Sequence, residues 1–337
     1  MERRRLIQAA ALGVGVTAMD DHERVRRLLS LDRDDNGRSV EEWERTCGDL
    51  RYWLCTRPVD KVRDAIGVEL DALSRQRQWS SPARWEDLLR IQAALAALYA
   101  NALGRLSEHE ASLRWWRTAR QVADASNDQH LAIGIRATEA GNALYGQRSP
   151  GVVLELTRAA HGIANGVPSW GLVFVLCAQA RAAAVLQRHD EAFAALRQAE
   201  ALVGGAELPV PSVMPSYWSD ACPAEWTASL VYATVGDESR SAQARTTVFS
   251  HKDYQYRAAA RLHGALATVA NGGIKEGLVA ATEIIDGVVP GHRTNTVTYT
   301  ALLVLQTVPP EYRSSPAAAD LRAALGEDAG RKRAIEQ

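Results

Sequence analysis

The sequence lacks the composition of a membrane protein or of a dedicated nucleic-acid binder. No apolar run in its 337 residues reaches about eighteen residues, the length that a helix needs to span a bilayer. Lys and Arg total 39 against 40 Asp and Glu, which gives a net charge of −1 and no basic excess to attract a phosphate backbone. We therefore expect no membrane association and no direct binding to nucleic acid.

The chain also lacks the motifs that mark metal sites and catalytic centres. Its four cysteines form no Cys-x-x-Cys pair, and no closely spaced histidine pair accompanies them. None of the eight histidines lies in a His-Glu-x-x-His segment, and no Gly-x-Ser-x-Gly elbow is present. We predict no metal ligands, no cofactor and no catalytic residues. An enzyme whose groups converge from several helices remains an alternative.

Two short matches near the N-terminus are incomplete. Residues 13–18 read GVGVTA, but the alanine-rich segment before them favours helix, whereas a dinucleotide-binding fingerprint follows a strand. Residues 32–37 read DRDDNG, like the first half of an EF-hand loop, but Trp43 stands where the twelfth position needs a bidentate glutamate. The first segment therefore predicts helix and the second a solvated turn.

What the sequence has instead is helical periodicity. From about Trp85 onward, apolar residues recur three or four apart, and short breaks at Gly, Asn, Asp or Pro separate the segments. The segments pair into hairpins whose turns recur about every 40 residues, a period typical of an α-solenoid. Each pair is too small to bury its own apolar face, so the pairs must stack. We predict an all-α fold, an α-solenoid of helical hairpins. The turns fall near Gly104, Arg148, Arg188, Gly236 and Asn271.

The middle of this array carries the residues of a known repeat. Small, large and small residues stand at Ala192, Leu196 and Ala199, as in the second helix of a tetratricopeptide repeat. Tyr232 and Gly236 match the end of the first helix of such a repeat. The chain therefore resembles a degenerate tetratricopeptide array. Small residues also stand where the paired helices of this repeat approach closely, at Gly141, Ala180, Ser229 and Gly264.

These patterns divide the chain into three predicted segments. Residues 1–80 form an N-terminal helical segment that caps the array, residues 81–326 form the tetratricopeptide-like array, and residues 327–337 form a C-terminal tail. The stretch 204–223 is predicted as a loop inserted into the array, because its prolines forbid a continuous helix.

With its front segment, VEEWERTCGDLRYWLCTRPVDKVRDAIGVELDALSRQ, the chain resembles the sensor half of actinobacterial regulators that carry a Cro/repressor-type helix-turn-helix domain. Residues 20–75 show no compact three-helix unit of that kind, so no DNA-reading residue is assigned. In those regulators an Arg-rich, Ala/Gly-rich stretch is an internal linker, which implies that Leu6–Ala18 is an uncleaved helix or ordered arm. The alternative is a twin-arginine export signal, with Arg3–Arg5 as its basic residues and 16–18 as the cleavage site. We expect a cytoplasmic protein, with export as the alternative.

The resemblance also implies a binding face. Tetratricopeptide arrays bind extended peptides on the concave face formed by the first helix of each pair. Asn142 and Arg181 fall at the same position of adjacent repeats, and an amide beside a guanidinium can hold a peptide carboxylate or backbone. The same positions also read as ordinary solvated helix residues. Transferred by position, the ligand-binding set is Thr138, Asn142, Tyr145, Cys177, Arg181, Trp226 and Arg261.

The expected function is binding of a peptide or protein segment by a regulatory or accessory module. Two alternatives stay open: a ligand-sensing transcriptional regulator that acts through a separate DNA-binding partner, and an enzyme of unknown chemistry on a repeat scaffold.

Trp115 and Trp116 diverge by about 100° on a helix, so they cannot share one face. The second ring of the pair either packs against the next repeat or forms an interface, such as that of a homodimer.

Overall fold

The computed structural model describes residues 37–81, 84–205, 207–211, 213 and 223–326. Over these residues the chain forms fourteen α-helices and no β-strand, which confirms the all-α prediction. Every helix named below lies in one compact unit that begins at Val40. The predicted arm Leu6–Ala18, the tail 327–337 and most of the predicted inserted loop lie outside the described residues.

The helices follow one another in pairs joined by short turns. The front pair is α1 (Val40–Thr56) and α2 (Val59–Trp79). The next pairs are α3 (Trp85–Arg105) with α4 (His109–Ala125), α5 (Gln129–Ala143) with α6 (Pro150–Ala164), and α7 (Trp170–Val185) with α8 (His189–Val203). The last pairs are α9 (Pro223–Thr234) with α10 (Glu238–Ser250), α11 (Tyr254–Ala270) with α12 (Ile274–Gly287), and α13 (Asn295–Thr307) with α14 (Pro316–Ala324). Short 3₁₀ turns at Pro290–His292 and Pro310–Tyr312 flank α13.

Side-chain caps explain where several helices begin. The side chain of Asp128, for example, accepts a hydrogen bond from the Leu131 backbone amide at the start of α5 (2.9 Å). Such a cap pairs one of the amides that the first helical turn leaves without an intrahelical acceptor. Side-chain caps of this type occur at Asp128, Ser149, Ser169, Asp237, Asp253 and Ser315.

The first helices of successive pairs form the inner layer of the array. α3, α5, α7, α9, α11 and α13 contact one another in chain order. Their small residues permit close approach: α7 is buried around most of its circumference, and a Cβ added at Gly171 would lie 2.8 Å from Ile133 Cγ2 on α5. The two adjacent tryptophans pack within the array, since Trp116 is buried and Trp115 lies edge-on to Tyr99.

The array closes on itself, because its first three helices contact elements near its C-terminal end. α1 contacts α11, α3 contacts α13, and α2 contacts the 3₁₀ turn Pro290–His292. The main polar link is a buried ion pair between Arg105 Nη2 and Asp253 Oδ2 (2.7 Å), and Arg105 Nη1 also donates to the Leu54 carbonyl (2.7 Å). A second link runs from Asn295 Nδ2 to the Tyr145 carbonyl (2.9 Å). α1 and α2 therefore belong to the same compact unit as the rest of the array.

The described residues between Val203 and Pro223 are not helical. The Pro209 carbonyl accepts from the Trp170 amide (3.1 Å), and Val213 is buried among α1, α2 and α3. The helices in the described ranges include none with the length and apolar character of a bilayer-spanning segment.

Candidate binding site

A cavity opens on the inner layer where five helices meet: α5, α7, α9, α11 and α13. Its empty volume is about 580 Å³, counting the solvent at its mouth. Aromatic rings and small apolar groups form more than half of the described lining, and Arg181 is the one charged side chain among the described lining residues. The lining residues are Ala137, Thr138, Gly141, Asn142, Tyr145, Phe174, Arg181, Pro223, Trp226, Gln255, Tyr256 and Thr296.

Arg181 is buried in this wall, with 7% of its surface exposed. Its Nη1 donates to the Thr227 hydroxyl (2.9 Å), whereas its buried Nε has no hydrogen-bond partner among the described residues. No carboxylate of the described chain lies within ion-pair distance of the guanidinium. Gly141 provides the space that the group occupies, because a Cβ there would lie 2.8 Å from Arg181 Nη2.

Aromatic rings in contact with one another give the cavity much of its apolar surface. The buried ring of Trp226 lies 4.8 Å from that of Tyr256, and Tyr145 meets Tyr299 edge-on at 5.9 Å between centroids. Burial raises the pKa of the Tyr145 phenol, partly opposed by the charge of Arg181. The phenol is therefore neutral and can donate a hydrogen bond to an acceptor in the cavity.

A fully buried histidine lies behind Trp226. The ring of His263 is 4.7 Å from that of Trp226, and its Nδ1 lies 2.7 Å from the Ser229 hydroxyl. Because that hydroxyl donates to the Trp226 carbonyl (2.8 Å), Nδ1–H is the donor in the Ser229–His263 bond, which leaves Nε2 as an acceptor with no partner in the described chain. Burial, with the charges of Arg245 and Arg181, lowers the pKa of His263 to about 3. Both residues are fully buried, so they do not present a serine nucleophile to a substrate.

Five of the residues that the sequence predicted as ligand-binding lie together in this cavity wall. Two of these side chains also bond within α5: the Thr138 hydroxyl donates to the Gly134 carbonyl and the Asn142 amide to the Thr138 carbonyl (both 2.8 Å). The predicted residues that line the cavity are Thr138, Asn142, Tyr145, Arg181 and Trp226.

Two predicted residues lie elsewhere. Arg261 is exposed, because α11 turns its first residues to the cavity and Arg261 follows Tyr256 by five positions, about 140° around the helix. Cys177 is buried in the packing between helices, and burial raises the pKa of its thiol to about 11. The three cysteines within the described residues carry free thiols. The described ranges contain no cluster of side chains suited to a metal ion.

The structure also brings in residues that sequence reasoning missed. Gly141 was assigned to close helix approach, but the atom that fills its space is the Arg181 guanidinium from the neighbouring pair. Phe174 lies two turns before Arg181 on the same helix, so its spacing could have identified it. Gln255, Tyr256 and Thr296 reach the cavity only because the array curls, and no local pattern indicates that.

No protein-family model matches this chain, and no curated protein matches it in sequence.

Proposed function

We propose that this chain binds a peptide or protein segment and that the inner-layer cavity receives one side chain or the end of that segment. The supporting observation is the convergence of five helices on one cavity whose described lining combines aromatic rings with polar side chains. Sites for small ligands are typically concave and combine apolar and aromatic walls with a small number of placed polar groups. In this proposal the chain is a regulatory or accessory module of the cytoplasm.

A second candidate is a ligand-sensing regulator that acts through a separate DNA-binding partner. Tyr145 favours it, because this residue both lines the cavity and joins α5 to α13. Its carbonyl accepts from Asn295 and its ring packs on Tyr299. A ligand that moves Tyr145 would therefore act on the contact between the middle of the array and its end.

The test is selection from a random peptide library on the immobilised full-length chain, followed by calorimetric titration of the enriched peptides. Thr138→Phe places a ring at the half-buried cavity wall. We expect it to weaken binding about 5- to 150-fold, since overfilling a packed site costs roughly 1–3 kcal/mol.

Thr246→Phe is the matched control. Thr246 also bonds its hydroxyl to the carbonyl four residues earlier, Ala242, but it lies on the exposed face of α10. Peptides should bind this variant as they bind the wild type. Enriched peptides that bind Thr138→Phe with unchanged affinity would place the binding site elsewhere, and a library that yields no specific peptide would refute peptide binding.

A further inference from the structure

The three arginines that are most buried in the described chain differ in their partners. Arg105 pairs with Asp253 at 2.7 Å, and Arg245 pairs with Glu238 at 2.6 Å. Arg181 has only the neutral Thr227 hydroxyl. A guanidinium removed from water needs a counter-charge or a full set of acceptors, because an isolated buried charge is strongly destabilised. The described chain supplies neither to Arg181.

The free edge of Arg181 has the geometry of a carboxylate site. A guanidinium offers five N–H donors in one plane, and neighbouring donors along an edge bind the two oxygens of a carboxylate side by side. With Nη1 engaged by Thr227, the remaining edge is Nε with Nη2. Nε has no partner and Nη2 lies beside Gly141, which adds no side chain to cover it.

The rest of the cavity favours one negative charge on an apolar body. Among the described residues its wall contains no Asp, Glu or Lys, and the rings of Phe174, Trp226 and Tyr256 line the space. Thr296 stands in the first turn of α13. The N-cap residue Thr294 makes no side-chain cap there, and its hydroxyl donates to Gln255 Oε1 (3.0 Å). The uncapped first turn is a weak further source of positive potential. One guanidinium balances a carboxylate better than it balances a phosphate dianion.

We propose that the cavity recognises a carboxylate carried on an apolar or aromatic group and that Arg181 binds it through its Nε and Nη2 donors. This inference rests on the proposed binding function and names the chemistry of the ligand. The carboxylate has two sources, the C-terminus of a peptide and a small organic acid, and the experiment separates them.

The experiment compares acids with their neutral amides on the full-length chain. One arm uses the library-selected peptides as free acids and as C-terminal amides. The other arm uses phenylacetate and phenylacetamide at millimolar concentration, followed by ligand-observed NMR. We expect each acid that binds to lose about 10- to 100-fold in affinity when it is amidated, the range for a hydrogen-bonded charge. Arg181→Gln should bind acid and amide equally, and Arg181→Lys should keep part of the preference.

Gly141→Ala covers the case in which Arg181→Gln fails to fold. It keeps the charge but displaces Nη2, so it should weaken acid binding several-fold and leave amide binding unchanged. A preference for acids that depends on Arg181 in the phenylacetate arm alone would support the inference with a small acid as the source and would refute the peptide proposal.

The inference is overturned if peptides bind in a Thr138-dependent manner while their acids and amides bind equally, a result that leaves the proposed function intact. It is also overturned if no acid in either arm binds the wild type, or if the preference for acids persists in Arg181→Gln.

Discussion

Two inner-layer arginines, Arg105 on α3 and Arg181 on α7, are buried to a similar degree but have opposite surroundings. Arg105 is 3% exposed and bonds the Asp253 carboxylate, the Leu54 carbonyl and the Asn101 side chain. Arg181 is 7% exposed and bonds one hydroxyl. Burial alone therefore does not assign a role to a charged residue. The partners do, and they make Arg105 part of the fold, whereas Arg181 keeps donors available for a ligand.

The pKa of Asp253 is consistent with a carboxylate whose charge is balanced by its arginine partners. Burial acts to raise the pKa of Asp253, but the positive charges of Arg105 and Arg51 outweigh it and hold that pKa below its usual range. Asp253 also caps α11 by accepting from the Gln255 amide (3.1 Å). The ion pair thus fixes the start of the helix that supplies Gln255 and Tyr256 to the cavity wall.

The largest effect on stability is expected from breaking the buried ion pair between Arg105 and Asp253. Arg105→Met leaves Asp253 buried with only Arg51 nearby, at 3.7 Å. Removing one partner of a buried ion pair costs about 3–5 kcal/mol, because the other charge stays desolvated. We expect a loss of that size in the free energy of unfolding, measured by urea denaturation.

Arg188→Met is the control for this change. Arg188 also pairs with a carboxylate, Glu191, but both side chains are about half exposed (49% and 50%). Exposed pairs contribute at most about 1 kcal/mol. If Arg105→Met were no less stable than Arg188→Met, the link between the front and the end of the array would not hold the fold together.

The same comparison shows what the sequence could and could not predict. The helical pairs follow from local signals. So does the shared face of Thr138, Asn142 and Tyr145, because these residues recur at helical spacing along α5 and the turn that follows it. The closing of the array is different: Arg105 and Asp253 lie 148 positions apart, and neither carries a local sign of the other. Because no local pattern indicates the closing, Tyr256 was missed, whereas Arg261 was placed on the binding face by position and lies exposed on α11. The burial of Arg181 was also unexpected, since the sequence suggested a solvated groove.

An intermediate effect on stability is expected from lowering the pH, because His263, behind Trp226, is neutral in the folded chain. His263 has a native pKa of about 3, well below the roughly 6.5 of an unfolded histidine. As pH falls below about 6.5 the unfolded state takes up a proton that the native state does not, so stability is present above that pH and is lost below it. The expected loss is about 1.4 kcal/mol per pH unit, or about 2 kcal/mol between pH 6.5 and 5.

His263→Gln should remove that part of the slope. Denaturation midpoints between pH 7 and 5 measure it, and His161→Gln, a change at an exposed position, should keep the wild-type slope. Identical slopes in His263→Gln and the wild type would mean that the imidazole is protonated in the folded chain. In that case a second positive charge would lie behind Trp226, and Arg181 would no longer be the one charge beside the cavity in the described chain.

The smallest effect on stability, and the most direct test of the central claim, is expected from Arg181→Met. The measurement is the urea midpoint of wild type and variant, with and without a selected free-acid peptide. Replacing a buried charge that has no counter-ion by an apolar group of similar volume is neutral or stabilising. We predict that Arg181→Met without peptide is at least as stable as the wild type, and that peptide raises the midpoint of the wild type only. A loss of about 3–5 kcal/mol without peptide, as expected for Arg105→Met, would make Arg181 a structural residue and contradict its role in binding.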